Sequence, residues 1–229
     1  MPENGYDDRD DERSRSLLSG SGASQIPWET APLQTILPAL YQTLLGALFA
    51  VPGFFAAVGR SRASLLRPCV FFVLLELFQN LAQRFWILSR LAEHLGEMPD
   101  SQAMLDAVSQ SMSVSMLVIV APPILILQWF LYSAMFHGMV RLVQPENASM
   151  STTLRVLAYS TAPCLFSIVP VVGLHVSTLW FGICCFAGLK FALRLSWQRT
   201  AMAVLPLFAL YVVLTLHLNK LMASLGSAL

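Results

Sequence analysis

The chain has 229 residues, of which 56% are hydrophobic and only 12% charged, with a formal net charge of +1 and a mean hydropathy of +0.63. Soluble domains carry about a quarter charged residues, so this composition identifies an integral membrane protein. The near-zero net charge, confined to the head and to short loops, excludes a polynucleotide reader.

Residues 1–25 are polar and rich in Asp, Ser and Gly. Their composition cannot bury a core, and they are predicted to form a disordered cytoplasmic tail. The first residues, Met-Pro-Glu-Asn-Gly-Tyr-Asp-Asp-Arg-Asp-Asp-Glu-Arg, mix both charge signs without an apolar stretch or a small-residue cleavage site. That pattern is not a secretory signal, so insertion must rely on internal helices.

Residues 26–67 form an N-terminal segment leading into the membrane domain. Leu33, Ile36, Leu37, Leu40, Tyr41, Leu44, Leu45, Leu48 and Phe49 recur at helical spacing, with Gln34, Thr35, Gln42, Thr43 and Gly46 on the other side. The two-sided pattern and Pro32, Pro38 and Pro52 favour an amphipathic helix in the membrane interface. No charge interrupts Thr30 to Gly59, so a spanning reading of Leu33 to Val58 stays open.

A membrane domain over 68–220 follows, with predicted spans at about 68–88, 115–138, 154–170, 173–193 and 200–219. The first carries Glu76, Gln79, Asn80 and Gln83 at i, i+3, i+4 and i+7. That polar stripe on an apolar cylinder must face helices, a partner or water. It serves either association, through hydrogen bonds to neighbouring helices, or conduction of a cation, proton or polar substrate. Glu93, Glu97, Asp100 and Asp106 around Pro99 read as a hydrated loop. Pro122-Pro123 is expected to bend or interrupt the second span.

Between Arg155 and Lys190 lie 34 residues without a charge. One crossing takes about 20 residues, so the stretch is too long for one span and too short for two with a real loop. It must be a tight hairpin, and Pro170-Val-Val-Gly173 sits where its turn must fall. The fifth span runs from Thr200 to Asn219, bent by Pro206, and 221–229 form a short tail. With the N-terminus cytoplasmic, Arg60, Arg62, Arg67, Arg141, Arg155, Lys190, Arg194 and Arg199 lie inside. Arg84, Arg90 and Lys220 lie at the opposite face, so charge bias predicts N-in, C-out.

Cys69, Cys164, Cys184 and Cys185 fall within or at the edges of apolar runs and read as small buried residues rather than a disulfide frame. His94, His137, His175 and His217 show no ligand spacing, and no phosphate loop, nucleophile elbow or catalytic triad pattern is present. The residues therefore predict no catalytic site, no metal and no cofactor.

The run from Asn147 through Tyr159-Ser-Thr-Ala-Pro163, followed by Pro170-Val-Val-Gly173, Leu179-Trp180 and Gly188-Leu189, resembles the core of the Yip family. These membrane proteins were first known as interactors of Rab-type GTPases. Upstream, Ile26-Pro-Trp28-Glu29 and Val51-Pro-Gly-Phe-Phe55 resemble the N-terminal segment of bacterial members, and His137 sits where such proteins often carry histidine. The resemblance implies an all-α polytopic bundle of five transmembrane helices, a cytoplasmic N-terminal region, and homo- or hetero-oligomers with other membrane proteins. It marks Trp28, Glu29, Tyr159, Pro163, Pro170 and Gly173 as family-motif positions. Eukaryotic members carry an acidic-aromatic Tyr-Gly-Pro type motif in their tails, which is absent before Ile26 here and leaves a GTPase partner doubtful. The implied role is a non-enzymatic scaffold in the lipid bilayer, in a bacterial inner membrane. The alternative is a small transporter or channel component that uses the Glu76 stripe and the proline-broken hairpin.

Overall fold

The computed structural model describes residues 26–95, 114–170 and 172–226, all helical or connecting, with no strand among them. The expected tail, 1–25, lies outside the described residues, as does the expected acidic loop from residue 96 onward, whereas Glu93, expected in that loop, lies in the last turns of the helix Leu66–Leu95. The helices in chain order are α1 (Pro27–Thr30), α2 (Ile36–Phe49), α3 (Val51–Arg60), α4 (Leu66–Leu95), α5 (Val114–Val143), α6 (Met150–Ser160), α7 (Val172–Ala192) and α8 (Trp197–Gly226).

Among the described residues, three helical stretches are long and apolar enough to cross a membrane: Leu66–Arg90, Val118–Val143 and Val172–Ala192. The bent pair Leu33–Phe49 and Val51–Arg60 makes a fourth if it counts as one span. Pro122 and Pro123 do not interrupt α5, and Pro206 lies inside α8. Neighbouring helices and local readjustment satisfy the backbone groups that proline frees, which is why membrane helices tolerate it.

The N-terminal segment is helical as its spacing predicts, but in two limbs, the chain bending by 117° between them. Ala50 leaves helical geometry at φ −109, ψ 37, and Pro52 starts the second limb. Along α2, Leu37, Tyr41 and Leu45 point outward, whereas Ala39, Thr43 and Ala47 are buried. Thr43 thus belongs to the protein-facing side. Small residues let the helices approach there, and Leu48 is buried beside them. The second limb is core: Phe55 and Val58 are fully buried, and α3 packs along α7.

The hairpin turns where Pro170 to Gly173 was expected, but its first limb is not one α-helix. It leaves α geometry at Thr161 and continues as a 3-10 helix over Ala162–Ile168, with Pro163 in its first turn. Hydroxyls take the carbonyls loosened by the break: Ser160 donates to Val156 O at 2.7 Å, Thr161 to Ala158 O at 2.6 Å and Ser167 to Cys164 O at 2.6 Å. The 11 and 7 residues of the two pieces rise about 30 Å together, roughly the thickness of the hydrocarbon core.

This limb is the central post of the bundle. Every residue from Thr152 to Ser160 is buried, and α6 contacts α2, α3, α4, α5 and α7. The second limb, α7, starts against it through one close approach. A Cβ on Gly173 would stand 2.0 Å from the carbonyl oxygen of Phe166, so only glycine fits.

Candidate functional site

Two buried polar sites stand out, one around Glu29 and the other around Glu76. The first begins in α1, whose single turn places Trp28 and Glu29 inward. The Trp28 backbone N–H donates to Thr43 Oγ1 at 3.0 Å, which is why Thr43 faces the protein. Its indole Nε1 donates to the Arg67 carbonyl at 2.7 Å, and Arg67 Nη1 donates back to the Trp28 carbonyl at 2.8 Å. The ring also meets Phe71 edge-on at 6.3 Å.

With Trp28 so held, the Glu29 carboxylate enters the bundle. Tyr159 Oη donates to its Oε1 at 2.9 Å, and Ser61 Oγ donates to its Oε2. Arg155 Nε lies 3.3 Å from Oε1, an ion-pair contact without hydrogen-bond geometry, and the two side chains are 3% and 1% exposed. The guanidinium spends its other donors on Ser151 Oγ at 2.8 Å and on the Ala63 carbonyl. One carboxylate therefore ties α1, the connection after α3, and α6. A buried pair of this kind is held by surrounding hydrogen bonds that offset its desolvation.

Tyr159 anchors more than Glu29. It is fully buried, and its ring meets Phe54 at 5.4 Å and Phe71 at 5.0 Å, both edge-on. An aromatic layer from α3, α4 and α6 thus lies directly beneath the ion pair.

The second site lies beyond that layer. Glu76 and Gln79 line a cavity of about 310 Å³ with Gln128 of α5, Cys164 of the 3-10 limb, and Ser177 and Thr178 of α7. No cation stands within ion-pair distance of Glu76 among the described residues. Of the predicted stripe, the structure brings Glu76 and Gln79 to the cavity. Asn80 instead donates from Nδ2 to the Glu76 carbonyl at 2.7 Å along its own helix. Gln83 is half-buried and lines neither this cavity nor the Glu29 site. His137 is half-buried on α5, and its Nδ1 has no hydrogen-bond partner.

Of the motif positions, Trp28, Glu29 and Tyr159 converge on the first site. Pro163 is buried at the start of the 3-10 limb, Pro170 is exposed at the turn, and Gly173 sets the approach of α7. Sequence reasoning missed Arg155, taken as a loop-boundary charge. The signal that could have found it is the i, i+4, i+8 series Ser151, Arg155 and Tyr159, which puts three polar groups on one face of α6. The four cysteines are free thiols, and no group of three or more His, Cys, Asp or Glu suited to a metal ion occurs among the described residues.

A family model, the Yip1 domain, matches residues 16–217. No curated protein and no solved structure matches the chain.

Proposed function

The chain belongs to the Yip1 domain family, and on that premise we propose that it is a non-enzymatic, membrane-organising scaffold that assembles with other membrane proteins or with copies of itself. The observation that carries this reading is the Glu29 site. The protein's one fully buried ion pair among the described residues is spent on locking the N-terminal segment to the central post. That lock fixes the position of the described chain's first residues, Ile26 to Glu29, against the bundle, which suits a segment that presents what precedes it to partners. In this reading the bundle crosses the membrane five times in a bacterial inner membrane, with the N-terminus cytoplasmic and the C-terminus outside, in keeping with the charge bias.

The edge-on contacts of Tyr159 with Phe54 and Phe71 support a scaffold, because they pack the N-terminal segment and α4 against the central post beside the ion pair. The Glu76 cavity favours a second reading. A carboxylate lacking a cationic partner, beside Gln79, Gln128, Ser177 and Thr178, has the chemistry to hold a small cation or polar solute within a transporter or channel component.

Reconstitution separates the two. Full-length protein in liposomes passes no ion or solute beyond the empty-liposome rate under the scaffold reading, and two differently tagged copies or neighbouring membrane proteins cross-link in the native membrane. Flux that is lost in Glu76→Gln would establish the second reading instead.

A further inference from the structure

At the end of the bundle where α3, α6 and α7 meet, a cavity of about 680 Å³ is lined by Arg60, Arg62, Arg155 and Arg194. Three backbone devices assemble these cations from distant parts of the chain. Gly59 lies against α7 so closely that a Cβ there would stand 2.3 Å from the Ala192 carbonyl oxygen. Arg194 has the only positive φ of a non-glycine residue among those described, 54°. The Leu195 N–H donates back to the Lys190 carbonyl at 3.0 Å, closing the left-handed helix cap that glycine usually fills. Ser149, which also lines the cavity, caps the N-terminus of α6 and accepts from the Thr152 N–H. The positive end of that helix therefore faces the same space.

Apart from Arg155, which Glu29 holds, this charge is uncompensated among the described residues. Arg60, Arg62 and Arg194 are exposed and have no acidic partner among the described residues. The nearby carboxylate, Glu29, is already held by Arg155, Tyr159 and Ser61. Arg194 occupies a backbone conformation that side chains rarely adopt, held by the surrounding cap.

The surroundings give the depth. Trp197, three residues after Arg194, is 64% exposed, and the Lys190 Nζ lies 5.4 Å from its ring centroid. Leu66, at the start of α4, is also exposed. Tryptophan and basic groups side by side on an outward face are characteristic of headgroup level.

We propose that this cavity seats a phosphate group, carried by an anionic phospholipid headgroup or by a water-soluble phosphate ester. Guanidinium groups bind phosphate oxygens through paired N–H donors, and the α6 N-terminus adds backbone N–H groups and a favourable dipole. The exposed Trp197 and Leu66 favour the lipid as the source, because they set the opening beside the headgroups.

The test is equilibrium binding of fluorescent phosphatidylglycerol to the purified full-length protein in neutral detergent, with unlabelled phosphatidylglycerol, phosphatidylcholine and glycerol phosphate as competitors. Phosphatidylglycerol is expected to displace the probe and phosphatidylcholine is not. Arg62→Gln and Arg194→Gly should each weaken binding about fivefold. Arg194→Gly keeps the left-handed cap, and unchanged elution on size exclusion shows that each variant folds. Displacement by lipid alone identifies a headgroup site, and displacement by glycerol phosphate at similar concentration identifies a soluble phosphate ester. Equal displacement by phosphatidylcholine overturns the proposal. So does an Arg141→Gln control outside the cavity that weakens binding as much as the two cavity variants, since the effect would then be general surface charge.

Discussion

Two glutamates inside the same helical bundle have opposite surroundings. Glu29 is enclosed by a guanidinium and two hydroxyls, and its side chain is 1% exposed. Glu76 faces a cavity with neutral polar neighbours and, among the described residues, no cation. A carboxylate whose oxygens are all engaged by the protein holds the protein together. One that faces open space without a counter-ion contributes little to the fold and remains available to something else. The contrast gives the Glu29 carboxylate a structural role and leaves the Glu76 carboxylate facing a polar cavity.

The largest effect should come from breaking the saturated site. Glu29→Ala leaves Arg155 buried without its anion and is expected to cost about 3–5 kcal/mol, read as a fall in thermal unfolding temperature of the purified protein in detergent. Removing the bundle's most confined glycine comes next. Gly173→Ala forces a Cβ against the Phe166 carbonyl and should cost about 2 kcal/mol, also disturbing the neighbouring wall that Cys164 gives to the Glu76 cavity. Tyr159→Phe keeps the aromatic contacts but removes the hydroxyl that donates to Glu29. About 1.5 kcal/mol is expected, the value of one hydrogen bond to a charged group. Glu76→Gln should change stability least, by less than about 0.5 kcal/mol, because no ion pair is lost. A large destabilisation there would erase the contrast between the two sites.

Class and hairpin were legible in the sequence because hydrocarbon imposes hard rules on length, charge and backbone satisfaction. The 34 uncharged residues after Arg155 required two limbs, and Pro170 and Gly173 located the turn. What hydropathy does not register is which helices are shielded from lipid by other helices. Thr152, Thr153, Tyr159, Ser160 and Thr161 are all buried in the central limb, where protein neighbours rather than lipid surround them, so their polarity is no obstacle. The break at Thr161 follows from Pro163 and a run of hydroxyls that bond to local carbonyls, a pattern equally compatible with a kinked α-helix. The inward side of α2 carries Thr43 beside Ala39, Ala47 and Leu48, while Gln42 and Leu45 are both exposed, so it follows neither the polar nor the large apolar residues alone.

The Glu29 site was half visible. Trp28, Glu29 and Tyr159 were marked through family resemblance, but their meeting spans 130 residues of chain between Tyr159 and Glu29. No local pattern encodes such a contact. Arg155 was hidden by its position at the border of an apolar stretch, where a basic residue ordinarily signals the cytoplasmic face. Here the guanidinium turns inward, because α1 brings it a carboxylate and the Ala63 carbonyl takes one of its donors.

A double-mutant cycle between Glu29 and Arg155 tests most directly whether this buried pair locks the N-terminal segment to the central post. Unfolding would be compared in the parent protein, Glu29→Gln, Arg155→Met and the combined variant, all in one detergent. The two losses are expected to be strongly non-additive, with the combined variant no less stable than the worse single one and a coupling of at least about 2 kcal/mol. Losses that simply add would contradict such a lock.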